Sequence, residues 1–539
     1  MNISLDIGLT TRTNPFEPGE SAMSMTAVLD RLAKQMGSGV AAIDEDGSVT
    51  FSEMRDRSQT LARVLAGAGV LRGDRIGLLA GNGIDWLTVA FGVAAAGAIL
   101  VPFSTWSTRD ELAYLLSESD CRILFVTSDF EGRDFTTDVA ELTPQDGPRL
   151  ISLECRGDAR FTPMEVFLGG ITAVPNTTTP DDDAMVLYTS GSTSRPKGVR
   201  LTRAGVADSG LHIGDRMGLR PGDVVFLPAP LFWAFGGSNA LPAALTHGAT
   251  LVLPSRFEPD QALDLIERHR CTALYTLPAI TSALLRHPEF RSERTASLRT
   301  GLTIGSPEEF RMARDQLGIP ELCNIYGATE TYGNCAVTWH HWPANRRAGC
   351  QGPMLPGQLV RFRDPETGKL CPSGVTGLAE ISGRVSPGYF GQSEVANGAA
   401  FTEDGYYRTG DLGYLDAEGA FVFVGRASEM IKRAGINVSP AEVEDALMKA
   451  PGVAAAAVTG VPDAEKDERI VAYVVGTGLN RATLNAHCRS ALSKYKLPDW
   501  IDVVDALPLT ATGKLQRKAL KQMAIALMKR EQASEGPAS

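Results

Sequence analysis

The sequence predicts an α/β fold, with a large N-terminal domain followed by a small α+β domain. Three features carry this prediction. Helical patterns and short apolar strands alternate through the first half, glycine-rich β runs begin after about residue 355, and helices and strands mix again beyond Gly425. Alternating strands and helices imply parallel sheets whose faces are covered by helices.

The N-terminal alternation is clear from residue 51 onward. Residues 51–68 have helical periodicity, and Arg75–Ala80 is a short apolar strand. The 18 uncharged residues Trp86–Phe103 reach the lower limit of a membrane span. Because Gly97 divides them into an Ala-rich half and a β-branched half, we predict a buried helix followed by a buried strand. The same pattern recurs over residues 248–281.

The later part of the chain shows two different sequence patterns. Short runs such as GLAEISG and GAFVFVG indicate small antiparallel β structure after about residue 355. Further on, the helical SPAEVEDALMKA precedes the apolar VAAAAVTGV and RIVAYVVG. We therefore predict an N-terminal domain over residues 1–425, a hinge at 426–428 and a C-terminal domain over 429–539.

Composition narrows the classes of function. The net charge is -11, so nucleic acid and anionic membranes are not expected as partners. The N-terminus lacks a basic region followed by an apolar core, and no signal peptide is predicted. The eight cysteines form no CxxC pair, which indicates a cytoplasmic protein rather than a disulfide framework. The sequence leaves a homodimer open.

The composition of one loop indicates a possible binding site. The stretch YTSGSTSRPKGV, residues 188–199, follows a short apolar run. A Gly/Ser/Thr loop after a strand can wrap a phosphate with N–H groups and hydroxyls, and Lys197 adds positive charge. Pro196 before this lysine and Gly198 after it exclude a Walker A motif. Taken alone, the loop is either a phosphate site or a flexible linker.

Four more stretches follow this loop in order. They are YGATE at 326–330, YRTGDLG at 407–413, Gly425-Arg426 and LTATGK at 509–514. Over residues 30–525 the five together resemble the adenylate-forming superfamily of acyl-CoA synthetases, nonribosomal adenylation domains and luciferases. The resemblance is to the acyl-CoA synthetase branch. It implies an N-terminal domain of stacked α/β subdomains with a small β-barrel-like region, and a mobile α+β C-terminal domain.

The resemblance also implies a reaction. A carboxylic acid attacks the α-phosphate of ATP to give an acyl-adenylate and diphosphate, and CoA then takes the acyl group. Mg²⁺ is the implied cofactor, with ATP and coenzyme A as co-substrates. The alternative is an acyl- or aminoacyl-AMP ligase that loads a carrier protein, but Gly236 and Gly237 stand where amino-acid-activating domains usually have an aspartate. A catalytically dead homologue is a further alternative, and the intact motif residues argue against it.

The implied residues fall on the motifs. The ATP-binding set is Thr189, Ser190, Gly191, Ser192, Thr193, Lys197, Asn324, Ile325, Tyr326, Gly327, Thr329, Asp411, Arg426, Lys432 and Lys514. Within it, Asp411 is expected to bind the ribose hydroxyls. Mg²⁺ is expected at Glu330 and Thr193, since Mg²⁺ prefers hard oxygen ligands. The implied catalytic residues are Lys514, Glu330 and Thr329.

The residues assigned to the acid, the CoA arm and the hinge match the family pattern less closely. The implied acyl pocket comprises Trp233, Phe235, Gly305, Ser306 and Asn334. Two large aromatic residues favour an aryl, alicyclic or short-to-medium-chain acid, although both could be ordinary core residues. Gly435 is expected to line the CoA passage.

The sequence departs from the family pattern at four positions. Ser428 replaces the usual Asp or Lys of the hinge, and Trp233 replaces a frequent histidine. Ser194 stands where the loop usually has glycine, and Ala434 stands where plant-type ligases have a CoA-contacting lysine.

Overall fold

Four sheets organise the protein. The computed structural model describes residues 24–154, 158–189, 196–391, 394–433, 436–463, 467–509 and 515–534. In this part of the chain, three sheets of five or more strands build the N-terminal domain and a fourth builds the C-terminal domain. The α/β prediction is confirmed, and so is the small α+β domain at the C-terminal end.

Two of the sheets are mainly parallel. The first sheet is antiparallel only at its two edges, and the second only at its Lys197–Thr202 edge. In spatial order the strands of the first sheet are Ala336–Val337, Glu321–Tyr326, Thr300–Thr303, Ala273–Tyr275, Val224–Phe226, Thr250–Val252, Val40–Ile43 and Ser48–Thr50. Those of the second sheet are Lys197–Thr202, Asp183–Thr189, Ile99–Phe103, Arg75–Leu79, Ile123–Val126, Arg149–Ser152 and Thr162–Pro163.

The other two sheets are smaller. The third sheet is antiparallel and occupies the region for which a barrel-like structure was predicted; its strands, in linear order, are Gly352–Pro353, Ala420–Arg426, Tyr407–Leu415, Gly377–Gly383 and Gln358–Arg363. The fourth sheet has the order Ile436–Val438, Ile431–Arg433, Asp467–Gly476 and Val453–Asp463, and Trp500–Val503 runs parallel to Asp467–Gly476. A separate two-stranded hairpin joins Asp129–Phe130 and Arg133–Asp134.

Helices cover the parallel sheets. In the N-terminal domain the α-helices are Met25–Met36, Phe51–Gly67, Ile84–Ala95, Arg109–Ser119, Phe135–Leu142, Met164–Leu168, Arg203–Met217, Leu241–Thr246, Pro259–Arg268, Pro278–Arg286, Pro307–Gln316, Ala344–Gly349 and Glu394–Ala400. A π-helix spans Ala234–Ala240, and 3-10 turns span Ser292–Thr295 and Thr329–Thr331. The C-terminal domain contributes the helices Pro440–Met448, Arg481–Ala491 and Arg517–Ser534 and the 3-10 turn Lys494–Lys496.

The long uncharged segment is a core helix and a core strand, as predicted. Its first half lies in helix Ile84–Ala95 and its second half is strand Ile99–Phe103. Every residue of the strand is buried, and the helix buries Trp86 on the same large core that joins the first two sheets. Among the described residues, no helix is both long and apolar enough to cross a membrane.

The chain passes between the two domains over a few residues. Strand Ala420–Arg426 belongs to the third sheet, the 3-10 turn Ala427–Glu429 follows, and Ile431–Arg433 enters the fourth sheet. Ser428 lies in that turn. Its role as a hinge stays a prediction.

Helices from the two domains meet at an acidic contact. Helix Pro440–Met448 of the C-terminal domain lies against helix Pro307–Gln316 of the N-terminal domain. The Lys449 ammonium is 3.6 Å from Glu308 Oε1 across this contact. Arg311 pairs with Glu308 at 2.7 Å and Arg517 pairs with Glu444 at 2.6 Å, so cations and carboxylates meet at this contact.

Asp445 is a carboxylate whose protonation this contact alters. Burial raises the pKa of Asp445 to about 7, and the charge of Glu308 adds to the rise. Glu309 and Glu444 act in the same direction, while Lys449 opposes them. Because the protonated form is favoured in the docked arrangement, docking is strongest at a pH below the ordinary aspartate pKa of 3.8 and weakens as the pH rises through about 7.

We expect the domain contact to loosen between pH 5.5 and pH 8. Limited proteolysis of the 426–430 region, with small-angle scattering beside it, measures this. Asp445→Asn should keep the contact tight at both pH values, and Asp505→Asn, which removes an exposed aspartate of the same domain, should behave like the wild type. Equal cleavage of the wild type at both pH values would contradict the expectation.

Candidate active site

A buried carboxylate, Asp411, lies where the first and third sheets meet. Tyr326 ends strand Glu321–Tyr326 of the first sheet, and its hydroxyl donates a hydrogen bond of 2.7 Å to Asp411 Oδ2. Arg426 is opposite Asp411 on the neighbouring strand of the third sheet, with its Nε 2.9 Å from Oδ1. The ion pair lacks hydrogen-bond alignment, so among the described residues Oδ1 has no hydrogen-bond donor.

The protonation of this cluster follows from burial. Burial raises the pKa of Asp411, although the Arg426 charge and the Tyr326 hydroxyl favour the carboxylate. Burial, together with the charge of Asp411, raises the pKa of Tyr326 well above its usual value. Tyr326 therefore remains a proton donor. A buried acceptor such as Oδ1 costs free energy until a donor reaches it, and a ligand hydroxyl can be that donor.

Tyr326 is 6% exposed and is surrounded by aromatic rings and unsatisfied amides. The Tyr326 ring stacks on Phe421, with ring centroids 4.2 Å apart and planes 16° apart. The side-chain Nδ2 atoms of Asn324 and Asn334 are buried and have no partner in the described part of the chain. At Gly327 a side chain would overlap the carbonyl oxygen of Gly333. The aromatic surface and free amide donors suit a planar base with acceptor nitrogens.

A second polar group surrounds Glu330. This residue lies in the 3-10 turn Thr329–Thr331, directly after the Tyr326 strand, and is 8% exposed. The Tyr389 hydroxyl donates a 2.8 Å hydrogen bond to Glu330 Oε1. The Tyr407 hydroxyl also lies against this carboxylate, and burial followed by the Glu330 charge raises the pKa of Tyr407. Both tyrosines therefore keep their protons.

The ends of the phosphate loop reach the same place. Thr189 and Lys197 are directly paired where strands Asp183–Thr189 and Lys197–Thr202 enter the loop that connects them. The Lys197 ammonium lies 5.2 Å from the centroid of the Tyr389 ring. The structure thus brings the predicted phosphate lysine and the predicted metal ligand to one tyrosine.

The structure describes some of the other residues predicted to bind ATP and does not describe the rest. Asn324 and Ile325 lie in the buried strand before Tyr326, and Thr329 opens the turn that carries Glu330. Lys432 has an exposed side chain on the fourth sheet. Outside the described residues lie Ser190, Gly191, Ser192, Thr193, Gly435 and Lys514.

The residues fit a magnesium ion that arrives with a nucleotide. Mg²⁺ is usually bound through one or two carboxylates, with phosphate oxygens and water completing its shell. Glu330 supplies one such carboxylate. In the described part of the chain no group of three or more acidic, histidine or cysteine side chains could hold a metal alone. That donor set suits Mg²⁺ bound to ATP and does not suit zinc.

One of the predicted acyl-pocket residues lines a cavity. A cavity of about 300 Å³ is lined by Trp233, and its other apolar walls include Trp106, Phe232, Phe257, Leu277 and Ile280. Trp106 meets Phe232 edge-on at 5.2 Å and Trp233 at 6.2 Å. Of the five predicted residues, only Trp233 is among the lining residues of this cavity.

The other four predicted residues have different surroundings. Phe235, one residue into the π-helix, packs edge-on against Tyr275 at 5.2 Å. The Ser306 hydroxyl caps helix Pro307–Gln316, and a side chain at Gly305 would meet Glu309 Oε2 at 2.7 Å. Asn334 is buried beside Gly327. Their part in acid recognition stays a prediction.

Two residues of this region were missed by the sequence analysis. Tyr389 contacts Glu330 from 59 positions along the chain, and Trp106 reaches Trp233 from the turn after strand Ile99–Phe103 of the second sheet. Neither belongs to a motif quoted above. Only a model of the fold could have paired them with the site.

Comparisons with known proteins agree with this geometry. Residues 29–390 match the family model of AMP-binding enzymes, and residues 442–514 match that of the AMP-binding enzyme C-terminal domain. A sulfoacetate–CoA ligase from Cupriavidus necator is 34% identical over 483 residues, which cover 88% of this chain and 93% of that protein.

Solved structures are similar over almost the whole length. The ATP-bound crystal structure of MatB from Rhodopseudomonas palustris has a TM-score of 0.83 at 27% identity, covering 94% of this chain and 100% of that one. The o-succinylbenzoate coenzyme A synthetase MenE from Bacillus subtilis, in complex with ATP and a magnesium ion, has a TM-score of 0.76 at 29% identity. That match covers 92% of this chain and 99% of MenE.

Tyr326→Phe should destabilise the protein, because it leaves buried Asp411 Oδ2 without its donor. We expect the free energy of unfolding to fall by about 2 kcal/mol, as is usual for a hydrogen bond to a charged group. Denaturant unfolding measures it. The matched control is Tyr473→Phe, since the buried Tyr473 hydroxyl has no partner among the described residues; this change should be nearly neutral. Equal effects of the two substitutions would contradict the assigned bond.

Proposed function

The chain belongs to the AMP-binding enzyme family, and we propose that it is an acid–CoA ligase for an aryl, alicyclic or short-to-medium-chain carboxylic acid. The resemblance drawn from the five motifs is confirmed. The reaction converts acid, ATP and CoA into acyl-CoA, AMP and diphosphate through an acyl-adenylate. The single observation that supports it best is the unsatisfied Oδ1 of buried Asp411 beside Arg426 and the stacked Tyr326.

The proposed residues act on different parts of ATP. Asp411 accepts the ribose hydroxyls, with Arg426 beside it, and the adenine lies along Tyr326. Lys197 and the preceding loop hold the β- and γ-phosphates. Lys514 offsets the charge that develops at the α-phosphate and the acyl oxygen, as a compact ammonium can.

Magnesium would be held by Glu330 and Thr193 together with the phosphates, and when bound it neutralises phosphate charge. The protein's own role is to hold the Glu330 carboxylate in a fixed position. Tyr389 and Tyr407 contact this carboxylate.

The proposed chemistry proceeds in two steps. A carboxylate oxygen of the acid bonds to the α-phosphorus of ATP, and the bond from that phosphorus to the bridging oxygen breaks, so that diphosphate leaves. The CoA thiol loses its proton and attacks the acyl carbon. The acyl carbon–oxygen bond then breaks, and AMP leaves with the former carboxylate oxygen.

Between the two steps the C-terminal domain turns about Ser428. Gly435 then borders the CoA arm, because a residue without a Cβ leaves room for the thin pantetheine chain. The cytoplasm is the proposed location, since the described cysteines are free thiols.

The acid class is inferred from the cavity beside Trp233. Its aromatic and aliphatic walls favour an uncharged acyl group, and its volume of about 300 Å³ suits a ring or a short chain better than a long one. Arg256 also lines the cavity, within 3.3 Å of Glu258. An acid with a second anionic group is therefore the competing substrate class, and the sulfoacetate ligase among the relatives makes it worth testing.

Diphosphate release should be measured over a panel of acids, each with and without CoA, together with thioester formation. The panel contains benzoate, cyclohexanecarboxylate, butyrate, octanoate, palmitate and sulfoacetate. We expect CoA-dependent turnover and thioester with the cyclic or short acids. Arg256→Gln should leave those rates unchanged; a selective loss with sulfoacetate would favour the anionic class instead.

Two outcomes would contradict the proposal. Acid-dependent exchange of diphosphate into ATP without any thioester would identify a carrier protein as the acyl acceptor. Absence of turnover with every acid, in a protein that still binds ATP, would favour a non-catalytic homologue.

A further inference from the structure

We propose that Tyr389 is a positioning residue that holds the Glu330 carboxylate and the Lys197 ammonium at a fixed separation. This inference rests on the proposed function, because it assigns Glu330 to Mg²⁺ and Lys197 to the ATP phosphates. Tyr389 itself touches neither ATP nor the acid in this account. Its role is exerted through the two charged residues.

One side chain makes both contacts. The Tyr389 hydroxyl donates to Glu330 Oε1 at 2.8 Å, and the ring lies 5.2 Å from the Lys197 ammonium. The second distance is within the range of a cation–π interaction. Tyr389 and Glu330 are each 8% exposed, so the hydrogen bond between them is shielded from water and is stronger than it would be at the surface; Lys197 is half-buried.

The backbone around Tyr389 is fixed to the strand that carries Lys197. The Phe390 N–H donates to the Gly198 carbonyl at 2.7 Å, and the Arg200 N–H donates to the Gly388 carbonyl at 3.1 Å. Tyr389 itself forms a bridge with Val199 between these bonds. The segment therefore acts as a short additional strand at the edge of the second sheet.

The same segment is fixed to the turn that carries Glu330. The Ser386 N–H donates to the Glu330 carbonyl at 2.7 Å, and the Ser386 hydroxyl donates to the Arg200 carbonyl at 2.8 Å. The Tyr389 N–H is held by Asn397 Oδ1 at 2.9 Å. Gly388 has a φ of +127°, and a side chain there would approach Asn397 Oδ1 to 2.9 Å. The tyrosine is thus placed by both elements whose charged residues it contacts.

The physical need for such a residue follows from the charges. Glu330 and Lys197 carry opposite charges on two sides of Tyr389, and in the described structure they form no ion pair with each other. A direct pair would satisfy both charges in the absence of ATP and would compete with metal and phosphate. The Tyr389 ring offers Lys197 a weaker partner that phosphate can replace, and its hydroxyl occupies only one oxygen of Glu330.

Three variants separate the two contacts. Tyr389→Phe keeps the ring and removes the hydroxyl, and Tyr389→Leu removes both. The matched control is Tyr473→Phe. This change removes a buried hydroxyl of the C-terminal domain that has no partner among the described residues. Thermal unfolding of each variant establishes that it is folded.

The readout is binding, without turnover. Mn²⁺, which replaces Mg²⁺, is titrated by electron paramagnetic resonance into protein saturated with a non-hydrolysable α,β-methylene analogue of ATP. We expect Tyr389→Phe to weaken Mn²⁺ binding about 10- to 100-fold, the usual effect of losing a partner of a metal-binding side chain. The affinity of Tyr389→Phe for the analogue without metal should equal that of the wild type. Tyr389→Leu should weaken both, because Lys197 then also loses its support.

The outcomes distinguish the inference from the function on which it rests. Unchanged Mn²⁺ affinity in folded Tyr389→Phe would overturn the positioning role while leaving the ligase proposal intact. An equal loss in Tyr473→Phe would show that the effect is not specific, and would overturn it as well. Failure of the wild type to bind the analogue at all would refute the proposed nucleotide site instead.

Discussion

The carboxylate of Asp411 is held away from water, where it must be matched by donors from elements distant in the sequence. Tyr326 supplies one donor from the end of the first sheet, and Arg426 supplies a positive charge from the strand beside Asp411. Arg426 is also the last residue of the third sheet before the C-terminal domain. These contacts join two sheets at the point where the C-terminal domain begins. Oδ1 of Asp411 is ion-paired with Arg426 and can still accept a hydrogen bond from a ligand.

At the proposed phosphate end of the site, a buried carboxylate is again matched by a donor from a distant part of the sequence. Tyr326 ends a strand and offers its hydroxyl to Asp411, and the turn that directly follows this strand brings the Glu330 carboxylate to Tyr389. Lys197 approaches from the second sheet. In the proposed binding mode, a nucleotide lying across Tyr326 would extend from the ribose contact at Asp411 to Lys197 and Glu330 on either side of Tyr389.

The sequence predicted those parts of the molecule that depend on local patterns. The helix and strand of the Trp86–Phe103 segment follow from composition and from Gly97. The site residues could be proposed from the sequence because each motif is short. Tyr389 could not be found in this way, since its contact with Glu330 joins residues 59 positions apart. The surroundings of the predicted acyl residues could not be read from the sequence. The π-helix turns Phe235 toward Tyr275, and the helix cap uses the Ser306 hydroxyl, so neighbours in the sequence face different surroundings.

The most direct test of the account follows oxygen from the acid. With a carboxylic acid labelled with ¹⁸O at both carboxyl oxygens, mass spectrometry of the products shows which phosphorus was attacked. The account predicts one ¹⁸O atom in AMP for each acyl-CoA formed and none in diphosphate, because the carboxylate oxygen bonds to the α-phosphorus and stays there when the thiol takes the acyl group. Unlabelled AMP, or label in inorganic phosphate together with ADP, would contradict it.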